Sequence, residues 1–295
     1  MKLLIAAAFI FISQACSSQK NNTQAQEDIQ KLIQNFNGKI GISIKNLQTQ
    51  ETLEINPKQR FPMQSVYKFP LAIAIFEQID KGKLSLDQKV NLAKSDLLPK
   101  THSPLRDLYP EGKRDISLRE ILEATVAQSD NNGCDYLFNM LGGVKPVDTF
   151  IKSLGITEIN IIGTEAQMHA DEKVQFANYS TPAAMTNLLE KFYNGKTLTK
   201  QSTVELWKIL VSTTTATNRI KAGLPVGTVW GHKSGWSGGD DRGFTNAIND
   251  AGVFIMPNGT PIAISVFIAE TPVKSVETDK LTANITQIAY QHFLK

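Results

Sequence analysis

The stretch from Arg60 to Pro70 contains a serine and a lysine three residues apart, Ser65 and Lys68. Residues at this spacing lie on one face of a helix, so a hydroxyl and an amine can meet there. A serine hydroxyl becomes a nucleophile when a neighbouring base takes its proton, and Lys68 could be that base if it is partly deprotonated. The spacing alone is weak evidence, because Ser17 and Lys20 show it as well.

Three further polar elements follow Ser65 along the chain. Ser129-Asp130-Asn131 falls at a predicted junction between two helices, Glu165 lies in a polar stretch without periodicity, and Lys233-Ser234-Gly235 ends a predicted strand. Each element alone is ordinary, since Ser-Asp-Asn is a common turn and Lys-Ser-Gly a common strand end. Their occurrence in one chain, in this order and in these settings, is a strong signal for one catalytic site.

By these residues the chain resembles the class A serine β-lactamases, whose signature set is Ser-x-x-Lys, Ser-Asp-Asn and Lys-Thr-Gly. The resemblance covers nearly all of the sequence beyond its first residues. It is closest to an extended-spectrum-like subclass with an insertion ahead of the Ser-Asp-Asn element, here the stretch 107–112. The resemblance implies hydrolysis of the lactam amide of penicillins and cephalosporins, and hence antibiotic resistance, without metal or cofactor.

A two-step reaction is what this resemblance implies for the catalytic residues. Ser65 would open the lactam ring, and the backbone N–H groups of Ser65 and Trp236 would stabilise the developing oxyanion. Lys68 and Glu165 are both candidate bases for this acylation step. Glu165 would then activate the water that releases the product, and Ser129 would pass a proton to the departing nitrogen.

The resemblance also assigns the carboxylate of the substrate to one end of the site. Lys233 and Ser234 would bind it, and Gly235 would let the ligand approach the strand edge closely. An extra cation commonly assists this binding. Arg219 is the first candidate for that cation and Arg242 the second.

Other residues are expected to contact the rest of the substrate or to hold the site together. Asn131 would bind the acylamino side chain, while Asp130 would hold the loop. Two positions depart from the family. His169 stands four residues after Glu165, where an asparagine is usual, which leaves the conformation of that loop open. His102, before a Ser-Pro pair, replaces an aromatic residue that usually flanks the cleft, although an imidazole can still stack on a ligand.

Substrate breadth is predicted from small or polar residues beside the strand. Ser237, Gly238 and Gly239, together with the departure at His169, predict room for bulky cephalosporin side chains.

Two other functions are compatible with parts of this pattern. A penicillin-binding D,D-peptidase forms a similar acyl-enzyme on cell-wall stem peptides, but it does not need Glu165. An exported binding protein whose motif serine is inactive would form no covalent adduct at Ser65.

Composition excludes several other classes of protein. The 295 residues are 41% hydrophobic and 20% charged, as is typical of a soluble globular protein, and a monomer is expected. The net charge of +3 is too small to indicate a nucleic-acid partner. The four histidines and two cysteines show no zinc-ligand spacing.

The N-terminus has the pattern of an export signal. Residues 1–15 contain a lysine, an apolar run too short to span a bilayer, and a final alanine, which predicts a cleaved signal peptide and a periplasmic protein. Cys16 opens a polar tail over 16–26 and could carry a lipid anchor, or plain cleavage could leave a soluble enzyme. Only Cys134 remains elsewhere, so no disulfide framework is expected.

Strand patterns at both ends of the chain enclose a helical middle. This arrangement predicts an α/β (α+β) fold in which both termini build one antiparallel five-stranded sheet, flanked by terminal helices, with a helical domain inserted. The predicted domains are an α/β domain over 27–61 and 208–295 and an all-helical domain over 62–207.

Two features of the helical middle conflict with regular structure. Pro70 lies inside a helix predicted over 65–80, where it removes a backbone hydrogen bond, so we expect a kink there or a helix that begins later. The polar stretch 164–179 is long for a connection, and loops of this length are usually functional or disordered.

Overall fold

A computed structural model describes residues 24–240 and 243–295. The predicted signal peptide, Cys16 and Arg242 lie outside the described residues. The strands are β1 (Lys39–Asn46), β2 (Thr52–Ile55), β3 (Phe61–Pro62), β4 (Lys89–Ala93), β5 (Gly112–Ser117), β6 (Ile159–Asn160), β7 (Tyr179–Ser180), β8 (Trp230–Trp236), β9 (Thr245–Ile255) and β10 (Pro261–Thr271).

The first helix, α1, covers residues 24–33. It is followed by α2 (Lys68–Asp80), α3 (Pro104–Leu108), α4 (Leu118–Ala127), α5 (Asn131–Met140), α6 (Val144–Ser153), α7 (Glu165–Ala170), α8 (Val174–Ala177), α9 (Pro182–Tyr193), α10 (Lys200–Val211) and α11 (Ser275–Phe293). Short 3₁₀ helices cover Gln64–Tyr67, Lys94–Asp96 and Ile220–Gly223.

One five-stranded sheet joins the two ends of the chain, in the order β2-β1-β10-β9-β8, and all its pairings are antiparallel. The predicted α/β fold is therefore confirmed. β8 is an edge strand, so the backbone groups on its outer side are available to other parts of the site.

The sheet lies between two apolar layers, because alternate residues of a strand point to opposite faces. One face packs on α1 and α11 in a cluster that includes Ile29, Ile42 and Ile285. The other packs on helices from the middle of the chain, in a cluster that includes Phe61 and Phe267.

Helix α9 belongs in sequence to the predicted helical domain but lies against the sheet. The Thr186 hydroxyl donates to the backbone carbonyl of Ser43 and lies within hydrogen-bond distance of the hydroxyl of Ser265, both at 3.0 Å. The helix thus closes one face of the sheet, and the division of the chain into two domains at residues 62 and 207 stays a prediction.

The segment predicted to be all helical also contains short strands. β3, β7 and β6 form a three-stranded sheet, and β4 pairs with β5. Strands of two residues carry no readable alternation, which is why the sequence pattern missed β3, β6 and β7. The polar stretch 164–179 likewise contains α7 and α8, and Thr164 with Gln167 forms a capping box at the start of α7.

Pro70 is accommodated because the α-helix begins later than the predicted position 65. Ser65 lies in a 3₁₀ turn, and α2 starts at Lys68, so Pro70 is the third residue of the helix. An N–H in the first turn has no intrahelical partner, and its absence costs little there. The turn holds Ser65 and Lys68 on the same side, because residues three apart align in a 3₁₀ helix.

The edge strand β8 packs closely against the turn that carries Ser65. A Cβ atom on Gly235 would lie 2.5 Å from the backbone oxygen of Met63 and 2.9 Å from Cβ of Gln64. The amide of Asn249 on β9 also donates to the carbonyl of Met63, at 3.1 Å. Gly235 therefore makes room for this turn, and its predicted role in letting a ligand approach the strand stays a prediction.

Replacing Gly235 by alanine should therefore lower stability and activity together. Overpacking of this kind costs about 1–3 kcal/mol, and the strand must move away from Ser65. Urea unfolding and β-lactam turnover measure the two effects. Gly239→Ala is the matched control, since its Cβ would meet nothing closer than 3.8 Å. Equal stability of the two variants would contradict this role of Gly235.

Candidate active site

The ammonium group of Lys68 is the centre of the site. Its side chain is fully buried. Nζ lies 3.2 Å from Ser65 Oγ, 2.8 Å from the carbonyl oxygen of Ser129 and 2.5 Å from Asn131 Oδ1. It also lies 3.0 Å from Glu165 Oε1. Predicted site residues from three separate segments of the chain thus lie around one atom, Lys68 Nζ.

The contact between Lys68 and Glu165 is an ion pair and not an aligned hydrogen bond. An ammonium has three protons, and the three other neighbours of Nζ account for them. Glu165 Oε1 is buried and accepts no hydrogen bond from the described residues. This oxygen is therefore available to a hydroxyl or a water molecule that enters the site.

Lys233 provides a second buried cation on the opposite side of Ser129. Its Nζ donates to Ser129 Oγ at 3.0 Å and to the carbonyl of Ser234 at 2.9 Å. Burial and, after it, repulsion from Lys68 lower the pKa of Lys233 to about 7, against the opposing effects of Asp250 and other acidic groups. The serine hydroxyl accepts from Lys233 while its backbone carbonyl accepts from Lys68.

The Ser129-Asp130-Asn131 loop is bent tightly and fastened at its middle residue. Ser129 has a φ angle of +63°, a left-handed conformation that is uncommon for serine. The buried carboxylate of Asp130 accepts hydrogen bonds from Ser103 Oγ and from the N–H groups of Leu105 and Gly133. These contacts agree with the predicted holding role of Asp130.

Glu165 is positioned by a helix N-terminus that Asp135 holds in place. The N–H groups of Glu165 and Ala166 donate to the two carboxylate oxygens of Asp135, at 2.7 and 2.8 Å. Burial raises the pKa of Asp135 to about 6, although the same two N–H groups oppose the shift. A carboxylate at the start of a helix is also favoured by the helix dipole.

A cavity of about 360 Å³ opens in front of Ser65. Six residues that the sequence assigned to the site line it: Ser65, Asn131, Glu165, His169, Trp236 and Ser237. Six others were not anticipated: Gln64, Thr101, Met168, Glu172, Gln175 and Asn246. The lining is mostly polar, as expected for a substrate with several hydrogen-bonding groups.

His102 and Arg219 do not line this cavity. The ring of His102 contacts the carbonyl of Gln128 through Nε2 at 2.8 Å, and its neighbour Thr101 faces the cavity instead. The buried guanidinium of Arg219 contacts Asp279 at 2.8 Å and donates to the carbonyls of Gly235 and Asn249. Its Nε and Nη1 donors are therefore committed to these partners, and a substrate contact of Arg219 stays a prediction.

Sequence reasoning missed three contacts around the cavity. Asp135 lies four residues after Asn131, on the same helix face, and that spacing could have found it. The hydroxyl of Thr215 lies 2.9 Å from the hydroxyl of Ser234. The amide of Gln64 donates to that of Gln175 at 2.6 Å and links the Ser65 turn to α8. No local sequence signal indicates the last two, since each joins distant segments.

Comparison with known proteins decides the family. A family profile described as the β-lactamase enzyme family matches residues 24–293. The chain belongs to the β-lactamase enzyme family. This confirms the predicted assignment to a β-lactamase hydrolase.

Individual relatives narrow the assignment. Beta-lactamase VEB-1 of Pseudomonas aeruginosa is 40% identical over 294 residues, 99% of this chain and 97% of that protein. The crystal structure of TLA-1, named an extended-spectrum β-lactamase, superposes with a TM-score of 0.91 and 41% identity, covering 93% of this chain and 100% of the other. A class A β-lactamase from Bacteroides cellulosilyticus gives a TM-score of 0.89 at 33% identity, with coverages of 93% and 98%. The resemblance to class A, predicted from the motifs, is confirmed.

Replacing Asp135 by asparagine should slow turnover of a β-lactam. An amide offers one acceptor oxygen where the carboxylate offers two, so the start of α7 and Glu165 should shift, and kcat should fall about ten- to a hundredfold. Steady-state kinetics with benzylpenicillin measures this effect.

The control for this variant is Asp148→Asn. Asp148 also accepts a backbone N–H, that of Ile161 at 3.0 Å, but it does not line the cavity. Its kcat should stay within twofold of the wild-type value. The same loss in both variants would show that Asp135 has no special role in holding Glu165.

Proposed function

We propose that this protein is a serine β-lactamase that hydrolyses penicillins and cephalosporins through an acyl-enzyme on Ser65. The observation that carries the proposal is the position of Lys68, which contacts both Ser65 and Glu165. A nucleophile, a base for its activation and a base for the second step then lie in contact around Lys68. Resistance to β-lactam antibiotics follows from this activity.

Acylation would begin with transfer of the Ser65 proton as Oγ attacks the lactam carbonyl. Lys68 is in direct contact with Ser65 Oγ at 3.2 Å, and Glu165 lies behind Lys68 at 3.0 Å. Either Lys68, in its neutral amine form, or Glu165, through an intervening group, can serve as the base. We keep both, because the resting geometry serves each of them.

The oxyanion would be stabilised by the N–H groups of Ser65 and Trp236. Ser237 donates its N–H to Ala247, so Trp236, one position earlier, directs its N–H away from β9 to the free edge of the sheet. The N atom of Ser65 is close to this edge, since a Cβ on Gly235 would lie 3.1 Å from it. Two donors on facing backbones are the arrangement that an oxyanion hole requires.

Ring opening would need a proton at the departing nitrogen and an anchor for the substrate carboxylate. Ser129 Oγ can deliver the proton, because it is held between Lys233 and the site. Lys233 supplies positive charge, and the paired hydroxyls of Ser234 and Thr215 can donate to the carboxylate.

Deacylation would depend on Glu165. Its Oε1 is buried beside Lys68 and lacks a hydrogen-bond partner among the described residues, so it can accept a proton from an attacking water. A D,D-peptidase forms the acyl-enzyme without such a group. The buried carboxylate therefore favours the hydrolase over the peptidase.

Replacing Glu165 by glutamine should trap the acyl-enzyme. An amide cannot take the proton from water, so penicillin should remain bound to Ser65, and intact-mass spectrometry should show the mass of the added drug. Ser65→Ala is the control and should show no adduct. Turnover by Glu165→Gln at the wild-type rate would contradict the proposed role of Glu165.

Failure of the wild-type protein to form any adduct would favour the inactive binding protein instead. A long-lived adduct on the wild-type protein, with no turnover of nitrocefin, would favour the D,D-peptidase.

We also propose that the substrates include bulky cephalosporins. TLA-1 is named an extended-spectrum enzyme, and the cavity here extends between His169 and Ser237. Gly238 and Gly239 follow Ser237 and add no side chains to the rim.

Cefotaxime should accordingly be hydrolysed well above the background rate. The larger side chain of His169→Trp should fill part of the cavity and exclude a bulky substrate more than a small one. It should lower kcat/KM for cefotaxime by about tenfold more than for benzylpenicillin, since a small change in pocket size is worth about 1–3 kcal/mol of discrimination. Lys173→Trp, at an exposed position that does not line the cavity, is the control. Wild-type cefotaxime hydrolysis at background would reject this substrate range.

The protein is proposed to act after export to the periplasm, as a monomer. The predicted signal peptide supports export. A lipid on Cys16 would give an anchored form, and plain cleavage near Ala15 would give a soluble form. Within residues 24–240 and 243–295, no helix combines the length and apolar character needed to cross a membrane.

A further inference from the structure

Trp236 is an exposed tryptophan at the end of the edge strand β8. It is 52% exposed, whereas every other residue of the strand is buried. The other two tryptophans of the chain pack against rings: Trp207 lies 5.4 Å from Tyr193, and Trp230 stacks on His232 at 4.9 Å. Trp236 instead leaves about half of its surface to solvent, and the proposed function uses only its backbone N–H.

The exposed indole belongs to the cavity in front of Ser65. Most of the residues that line this cavity are polar, and the large apolar ones among them are Trp236 and Met168. A tryptophan carries more apolar surface than almost any other side chain, and leaving it in water forgoes the free energy of burial. A ligand that covers the indole would recover that free energy, so Trp236 is suited to bind part of a substrate.

The register of β8 places Trp236 beside the proposed anchor for the substrate carboxylate. Ser234 and Trp236 are two residues apart, so their side chains leave the strand on the same face, about 7 Å apart along it. The hydroxyl of Ser234 lies 2.9 Å from that of Thr215, and this pair is the proposed anchor. A substrate group attached next to the carboxylate can therefore reach the indole.

Cephalosporins carry a variable group at this position. Their carboxylate is on C4 of the six-membered ring, and the neighbouring atom, C3, bears a substituent that differs between drugs. We infer that the Trp236 side chain determines specificity for this substituent and favours a planar aromatic cation such as pyridinium. Tryptophan is the best aromatic partner for a cation, and flat rings stack on each other. The inference rests on the proposed function, in which the carboxylate is held at Ser234.

The charges around the cavity agree with a cationic group on the indole. The face of an indole ring is partly negative. The described residues that line the cavity include the carboxylates of Glu165 and Glu172 and neither lysine nor arginine. Lys233, the cation on β8, would be neutralised by the substrate carboxylate itself. A cationic substituent is therefore favoured over a neutral or anionic one of similar size.

The test compares two cephalosporins that differ only in this group. Cephaloridine and cephalothin share the lactam and the thienylacetyl side chain, but cephaloridine carries pyridinium where cephalothin carries acetoxy. Trp236→Leu should lower the ratio of kcat/KM for cephaloridine to that for cephalothin about fivefold. The ratio cancels any effect of the substitution on the oxyanion hole, which both drugs use. Trp236→Phe keeps an aromatic face and should retain part of the preference.

Met168→Ala is the matched control. Met168 is the other large apolar residue of the cavity, but it lies on α7, away from β8. Its substitution should change kcat/KM for both drugs alike and leave their ratio within about twofold of the wild-type value. An unchanged ratio in Trp236→Leu, or an equal fall in Met168→Ala, overturns the inference.

A second readout does not need turnover. Calorimetric titration of Ser65→Ala, which cannot be acylated at this position, gives the Kd of each intact drug. Adding Trp236→Leu should weaken the binding of cephaloridine about fivefold more than that of cephalothin. Equal weakening of the two drugs, or no binding of cephaloridine to Ser65→Ala, overturns the inference. If the binding difference is found but the wild-type protein hydrolyses neither drug, the proposed function fails and the inference stands.

Discussion

The burial of the Lys68 ammonium is the constraint on which the rest of the site depends. A charge without access to water is tolerated only when acceptors surround it, and here they come from the Ser65 turn, the loop at Ser129 and Asn131, and the start of α7 at Glu165. Each of these segments is held by its own contacts. The folded chain therefore brings the Ser65 nucleophile and the Glu165 carboxylate together around a single cation.

The second cation makes the site chemically useful and costs stability. Lys68 and Lys233 share the loop of Ser129, and their repulsion contributes to the lowered pKa of Lys233. Burial and repulsion from Lys68 both disfavour the charged form of Lys233, so a bound anion stabilises this cation strongly. The carboxylate of a β-lactam would relieve both effects, so the site is complementary to its substrate because it is unfavourable when empty.

The sequence predicted which residues carry the chemistry of the site, but it predicted few of the contacts that position them. Short motifs identify Ser65, Lys68 and Glu165 because the chemistry restricts each position to one residue type. Contacts such as those of Thr215 with Ser234 and of Gln64 with Gln175 join distant segments and leave no local pattern. The same limit applies to backbone packing. The sequence does not show that Gly235 leaves room for the turn that carries Ser65.

The fold was predictable where periodicity is strong and unpredictable where elements are short. The five strands of the main sheet have strand-like sequence patterns that can be recognised, whereas the two-residue strands and the helices of the 164–179 stretch do not. Arg219 illustrates a further limit, because a buried ion pair with Asp279 cannot be told from a surface arginine by sequence.

The central claim is that one buried lysine couples Ser65 to the rest of the site, and the acylation rate of Lys68→Met tests it most directly. Methionine keeps the length of the side chain and removes the charge. Rapid-quench mass spectrometry with benzylpenicillin should show acylation of Ser65 slowed at least about a hundredfold, the size expected for a lost general base or its partner. Acylation within threefold of the wild-type rate, in a folded variant, would contradict the account.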